Sequence, residues 1–472
     1  MTATDPDTQV GQELLRFPPD FLWGAATASF QIEGSTTADG RGPSIWDTFA
    51  ATPGKVEGGD TGEPACDHYR RYASDVGLMA DLGLGAYRFS VAWPRVQPTG
   101  AGAVEERGLA FYDRLVDSLL DHGIQPVATL YHWDLPQALE DHGGWRNRDT
   151  AYRFAEYAAL VHARLGDRVS AWSTLNEPWC SAFLGYGNGI HAPGVVDPLG
   201  ALEAAHHLLL GHGLAIEALR AQAPADHRLS IVLNFSSVHA DDPDHGEAVR
   251  KVDGLQNRFF LDPLNGKGYP ADVVEDTAWL GDWRHVVRDG DLDVIAAPID
   301  WLGVNYYSPA RVALSADPFR VTPGPFPGLR GVDLLPPRGD LTGFGWEIDA
   351  QAFTDLLERL GQDVTVPLVV TENGSAFPDT VSGGRVVDVE RTKYLVDHLR
   401  SVHTAISRGV DVRGYFAWSL LDNFEWAAGY SQRFGVVHVD YATQRRTVKD
   451  SGHTLAKILR HNAVPARGHE LP

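Results

Sequence analysis

Eight short β-rich runs, each followed by a stretch of helical periodicity, recur along almost the whole chain and constrain its fold more than any other feature. The runs cover residues 21–27, 86–91, 125–132, 169–177, 229–235, 299–306, 366–371 and 412–418. Between them apolar residues return every third or fourth position. Tyr69, Tyr72, Val76 and Met79 share one face, Leu109, Tyr112, Val116 and Leu119 a second, and Leu395, Leu399, Val402 and Ile406 a third. Alternation of this kind favours parallel strands, because each helix returns the chain to the start of the next strand. With no Ser/Gly linker between halves, the pattern predicts an α/β protein built as a single (β/α)8 TIM barrel with extended βα loops; an open doubly wound sheet is the alternative. The barrel domain spans residues 17–462, with tails at 1–16 and 463–472.

At 472 residues the chain exceeds a barrel of roughly 250 residues, so the surplus must lie in loops. The clearest insertion, residues 308–345, is rich in Pro and Gly and reads as a structureless loop with a function or mobility of its own. Residues 448–461 read as a closing helix. Gly83 and Gly85, before the second strand, read as helix caps rather than a phosphate loop.

Two carboxylates stand in closely similar settings at strand ends: Glu177 in Thr174-Leu175-Asn176-Glu177-Pro178 and Glu372 in Thr371-Glu372-Asn373-Gly374. Pro178 biases Glu177 towards an extended conformation and stops the strand, while Asn373-Gly374 marks a turn. In a barrel these residues end the fourth and seventh strands and face one mouth, where barrel active sites lie. Glycoside hydrolysis needs such a pair, one carboxyl to protonate the leaving oxygen and one to act on the anomeric carbon. Other strand ends bring suitable company. Gln31 follows the first strand, Arg88 lies on the second, and His132 and Trp133 end the third. Asn176 precedes Glu177, Asn305 and Tyr307 end the sixth, and Trp418 ends the eighth, followed by Asp422-Asn423-Phe424-Glu425-Trp426. Sugar hydroxyls want amide and carboxylate partners, and the apolar face of a pyranose wants a flat ring.

The formal charge of −22 argues against nucleic acid and against an anionic membrane surface as partners. No apolar run approaches the roughly 18 residues of a membrane span. Residues 1–13 lack the basic and apolar regions of a signal peptide, so a cytoplasmic location is expected. Cys66 and Cys180 are too few for a disulfide framework; a single bridge stays open, and a reduced pair is the simpler reading. Cys180 lies near Glu177, and whether it lines the leaving-group side stays open. His132 has no second His or Cys at ligand spacing, so neither a metal nor another cofactor is expected. His206, His207 and His212 read as helix-surface residues.

Several ordered motifs carry a family resemblance over residues 17–459. They are Phe17-Pro18-Pro19-Asp20-Phe21-Leu22-Trp23-Gly24-Ala25-Ala26-Thr27-Ala28, Tyr87-Arg88-Phe89-Ser90, the two acid motifs, and the stretch from Trp418 to Trp426. In these the chain resembles glycoside hydrolase family 1, the retaining glycosidases of β-glucosidase type. The resemblance implies that Glu177 is the acid/base and Glu372 the nucleophile. Arg88 would keep Glu372 charged, and Tyr307 would restrain it by a hydrogen bond. Asn176 matches the contact to the sugar 2-hydroxyl; Gln31, His132, Glu425 and Trp426 match the set around the 3-, 4- and 6-hydroxyls. Trp418 matches the stacking platform, Trp133 an aromatic beside the glycone, and Trp346 one bordering the leaving group; Asn305 joins the substrate-binding set. The implied partners are small β-glucosides and short β-gluco-oligosaccharides, with β-galactosides and β-fucosides as further substrates, and the oligomeric state stays open. Two alternatives remain beside this reading. A 6-phospho-β-glucosidase would need cations where Glu425 stands, and Ser431-Gln432-Arg433 shows no Lys-x-Tyr phosphate pattern. A catalytically silent sugar-binding module would be expected to lack one of the two acids.

Overall fold

The computed structural model describes residues 13–469. At its centre eight parallel strands close into a barrel: β1 (Leu22–Ala26), β2 (Ala86–Ser90), β3 (Gln125–Tyr131), β4 (Ala171–Asn176), β5 (Arg228–Asn234), β6 (Trp301–Asn305), β7 (Leu368–Asn373) and β8 (Val412–Trp418). Each strand pairs with its neighbour in sequence, and β8 closes on β1 with Gly414 opposite Leu22 and Trp418 opposite Ala26. All eight expected runs are strands, and the sheet is closed rather than doubly wound. Every residue of β2, β6 and β7 is buried, because one face looks into the barrel and the other meets the helices. Gly24 is required by this closure: a Cβ there would lie 2.5 Å from the Phe416 ring across the β1–β8 seam.

Helices α1 (His68–Leu82), α2 (Glu106–Asp121), α3 (Asp149–Leu165), α4 (Pro198–Arg220), α5 (Gly246–Asp253), α6 (Ala350–Asp363), α7 (Val389–Ser407) and α8 (Asp450–His461) follow the eight strands in turn. Their periodicity is that of one buried stripe. Leu109, Tyr112, Leu115, Val116 and Leu119 face inward on α2, as do Phe154, Tyr157, Val161 and Leu165 on α3. Gly83, at φ 78°, gives α1 its left-handed stop, whereas Gly85 lies beyond the cap in the link to β2. None of the described helices is long and apolar enough to cross a membrane. Cys66 and Cys180 are both buried and unbridged.

Two further expectations need correction. The histidines of α4 are buried, not on its surface. His206 bonds the Tyr269 hydroxyl at 2.9 Å and Asp291 at 3.0 Å, His207 bonds the Trp145 carbonyl, and His212 bonds Thr174 on β4 at 2.7 Å. Helix α4 is apolar on most of its circumference, and such a helix is covered on several sides. Residues 308–345 are not structureless. Ala310–Leu314 pairs antiparallel with Val332–Leu334 and parallel with Val238–His239, forming a three-stranded sheet beside the mouth. Strands this short leave too few alternating positions to stand out among prolines and glycines. Near the two ends of the described chain, Leu14–Arg16 pairs antiparallel with Ala463–Pro465. Asn462 locks this seam, accepting from Trp23 Nε1 at 2.8 Å and donating to the carbonyls of Phe17 and Pro18. Residues 1–12 and 470–472 of the tails lie outside the described residues.

Candidate active site

The C-terminal ends of the strands deliver side chains from six segments to one cavity of about 630 Å³. Glu372 sits within β7, one residue before its end, and Glu177 immediately follows β4. His132, Trp133, Glu177, Asn305, Tyr307, Trp346, Glu372, Trp418, Glu425 and Trp426 all line the cavity. Gln31, Arg88 and Asn176 are buried at the floor of the same site, where Arg88 bonds Glu372 and Asn176 bonds His132.

Both oxygens of Glu372 are held by donors from elsewhere in the barrel, one on β2 and one just past the end of β6. Arg88 Nη1 donates to Oε1 at 2.7 Å, and the Tyr307 hydroxyl donates to Oε2 at 2.6 Å. The second arm of the guanidinium, Nη2, donates to Asn176 Oδ1 at 2.7 Å. Because guanidinium nitrogens only donate, that contact orients the Asn176 amide with its nitrogen towards His132 Nε2, 3.1 Å away. His132 Nε2 is therefore the acceptor and Nδ1 carries the proton. That Nδ1 is buried without a protein partner, as are Gln31 Oε1 and Glu425 Oε2. Gln31 is held from behind, its Nε2 donating to Asn423 Oδ1 and to the Phe424 carbonyl, both at 2.9 Å. Buried polar atoms left open in this way are suited to sugar hydroxyls.

Glu177 has a different set of partners. Asn305 Nδ2 donates to its Oε1 at 2.6 Å, and the Cys180 thiol donates to Oε2 at 3.1 Å. Asn305 is itself fixed by Thr371, whose hydroxyl donates to Asn305 Oδ1 at 2.7 Å. The backbone of Glu177 is left-handed at φ 48°, not extended as its proline neighbour suggests. Its N–H donates to the Val232 carbonyl on β5, while its own carbonyl accepts from the N–H groups of Cys180 and Ser181. The chain thus turns straight from β4 into the helical segment Cys180–Gly187, a reversal that an extended residue would not allow. Proline disfavours the right-handed helical region for the residue before it, and the tertiary turn selects the left-handed one. Trp133 at φ 78° and Trp426 at φ 51° share this conformation.

Electrostatics separate the two acids. Burial, reinforced by the negative charge of Glu372, pushes Glu177 up to about 8. Burial raises Glu372 as well, and the Arg88 cation and the Tyr307 hydroxyl offset part of that rise, a compensation by a cation that Glu177 lacks at hydrogen-bond distance. The proton the pair shares therefore sits on Glu177, leaving Glu372 ionised. Burial, followed by the charges of Glu372 and Glu177, also pushes Glu425 up to about 8. Burial and the nearby Arg88 drive His132 well below its usual range, so it stays neutral.

Two aromatic walls bound the cavity. Trp133 stands 4.5 Å from Trp426, and His132 stacks 5.7 Å from Trp418 on one side. On the other, Phe344 stacks on Trp346 at 4.6 Å and Phe434 lies 6.1 Å from Trp346. The sequence reading leaves out Trp179, Leu184, Phe344, Phe434, Asn234 and Gln256, all of which line the cavity. Asn234 ends β5, so attention to that strand end would have found it. The others stand on loops and irregular helices that carry no periodic signal. Cys180, left open by the sequence, lines the cavity.

The model of glycosyl hydrolase family 1 matches residues 14–464. Thermostable beta-glucosidase B of Thermobispora bispora is 51% identical over 451 residues, covering 95% of this chain and 92% of that protein. A bifunctional beta-D-glucosidase/beta-D-fucosidase of Bifidobacterium breve is 51% identical over 449 residues, covering 92% and 96% respectively. Among solved structures, the beta-glucosidase of Thermotoga maritima in complex with glucoimidazole superimposes with a TM-score of 0.89 at 43% identity, covering 95% of this chain and all of that one.

Proposed function

The chain belongs to glycosyl hydrolase family 1, and from that premise we propose that this glycoside hydrolase is a retaining β-glucosidase. It removes terminal non-reducing β-D-glucosyl residues by double displacement, and accepts β-fucosides and β-galactosides as further substrates. The observation that carries this reading is the asymmetry of the two acids: Glu372 is held by a cation and a hydroxyl, Glu177 by a neutral amide and a thiol.

Ionised Glu372 attacks the anomeric carbon while Glu177 gives its proton to the departing oxygen, leaving a glycosyl ester on Glu372. Esterification removes the negative charge that helped to keep Glu177 protonated. Glu177, now ionised, takes a proton from water as the water attacks the anomeric carbon, and Glu372 leaves as a carboxylate. Two inversions retain the β-configuration. Asn176 has one amide hydrogen committed to His132 and a second available to the sugar 2-hydroxyl. Gln31 Oε1, His132 Nδ1 and Glu425 Oε2 offer one acceptor, one donor and one carboxyl to the remaining hydroxyls.

The geometry favours an unphosphorylated sugar. Arg433 and Lys449, which follow Glu425 in the chain, are committed to Asp422 at 2.7 and 2.6 Å. Among the described residues lining the cavity there are acids and no Lys or Arg to balance a phosphate. The cavity and its aromatic second wall suit small β-glucosides and short β-linked glucose oligomers, including those released from cellulose. Glu372→Gly should abolish hydrolysis of an aryl β-glucoside and regain turnover with azide, yielding the α-glycosyl azide. Glu177→Ala should slow activated aryl glucosides less than glucosides with poor leaving groups. Equal losses with both substrates, or an α-anomer as the first sugar product, would overturn the reading.

A further inference from the structure

The double displacement makes no use of the Cys180 thiol, although the thiol touches one of its two acids. Cys180 Sγ lies 3.1 Å from Glu177 Oε2 on the wall of the cavity. The placement follows from the backbone. The Glu177 carbonyl accepts from the Cys180 N–H at 3.0 Å, so the turn that begins with left-handed Glu177 brings the side chain three residues later back against its carboxyl. Asn305 already donates to Oε1 at 2.6 Å, which leaves Oε2 as the oxygen that carries the transferable proton. Cys180 therefore faces the working oxygen.

We propose that Cys180 is a positioning residue for the acid/base: its S–H holds the Glu177 carboxyl in the rotamer that presents Oε2 to the leaving oxygen, and stabilises the carboxylate once the proton has gone. The inference rests on the reading of Glu177 as acid/base. A thiol suits the task because it is a weak donor. It orients the carboxylate without lowering its basicity as far as a hydroxyl would, and Glu177 must act as a base in the second half of the reaction. Burial keeps the thiol protonated, so it remains a donor. On its far side Cys180 backs onto Tyr131, Tyr186 and His191, which burial holds neutral. The charged and titratable groups that act on Glu177 across the cavity are Glu372, Arg88, Tyr307 and Glu425. The hydrogen bond of the Cys180 side chain goes to Glu177 and to none of these four.

The test is the alkaline limb of kcat/KM in Cys180→Ala and Cys180→Ser, with thermal melting of both variants. Loss of the donor in Cys180→Ala should shift the limb up by about half a pH unit, and the stronger donor in Cys180→Ser should shift it down by a similar amount. Cys180→Ala should also lose more activity on a poor leaving group than on a nitrophenyl glucoside. A limb that stays in place, or moves the same way in both variants, overturns the proposal. Should Cys180→Ala fail to fold, the downward shift in Cys180→Ser decides alone. Glu425 is also raised to about 8, so the control is made in a Glu425→Gln background: adding Glu177→Gln there must abolish the limb, and if it persists the acid/base reading fails rather than the role of Cys180.

Discussion

Arg88 Nη1 lies 2.7 Å from Glu372 Oε1, with the two side chains only 1% and 4% exposed. A buried carboxylate loses most of its hydration, and here one guanidinium replaces it. Because the same guanidinium also fixes Asn176, one residue sets both the charge of the nucleophile and the orientation of an amide beside the sugar.

Replacing Arg88 with Met should lower kcat/KM by at least about a hundredfold, since breaking a buried ion pair costs about 3–5 kcal/mol. Glu372 then holds a proton to higher pH, so the acid limb of the pH–rate profile should move upward. An acid limb unchanged in Arg88→Met would show that the cation does not govern the nucleophile.

Tyr307→Phe deletes a single 2.6 Å donor on Glu372 and leaves the ring in place. The expected loss in kcat is about tenfold, with an upward shift of the acid limb smaller than that in Arg88→Met. Melting temperature should barely change. A variant with wild-type kcat would remove Tyr307 from the list of groups that matter to the chemistry.

Glu177 and Glu425 make the fold sensitive to alkali. Each is raised to about 8 from an ordinary 4.5, so between those values the native state keeps a proton that the unfolded chain has released. The resulting stability is complete below the unfolded value and is lost as pH rises through the folded one. Glutamine at 177 mimics the protonated acid at every pH. Glu177→Gln should therefore gain in melting temperature over the wild type on going from about pH 5 to about pH 8. A difference that stays constant across that range would contradict the assignment of the proton.

Glu425 offers an unpartnered carboxyl oxygen to the sugar. Because Glu425 keeps its proton up to about 8, Glu425→Gln should cut kcat/KM for β-glucosides by about three- to tenfold, the scale of a neutral hydrogen bond. β-Fucosides lack the 6-hydroxyl and should suffer less, so the fucoside-to-glucoside ratio should rise. A uniform loss across both sugars would place Glu425 away from that hydroxyl.

How much of this is legible in the sequence depends on how local each signal is. The eight strands show because a strand buried on both faces is an unbroken apolar run, and the two acids show because each ends such a run beside a Pro or a Gly. Arg88, His132 and Asn305 follow from the barrel rule that strand ends meet at one mouth. The failures are cases where tertiary packing decides. Nothing local distinguishes His212 on an exposed helix face from His212 bonded to Thr174 under the neighbouring strand. The left-handed turn at Glu177 is imposed by its partners Val232 and Cys180 against the local preference of a residue before proline. The second aromatic wall, Phe344 and Phe434, comes from loops whose path no periodicity reveals.

The left-handed residues also bear on how far this molecule can be engineered for heat. A side chain in that conformation costs of order 1–3 kcal/mol, which glycine would recover in part. Ala65, at φ 51°, has only a methyl group to lose, and selection for thermal tolerance can take that gain. At Trp133, Glu177 and Trp426 the same exchange would delete an aromatic wall or the proton donor itself. Evolution towards robustness thus has a boundary drawn at the mouth of the barrel, inside which every such gain in stability is a loss of turnover.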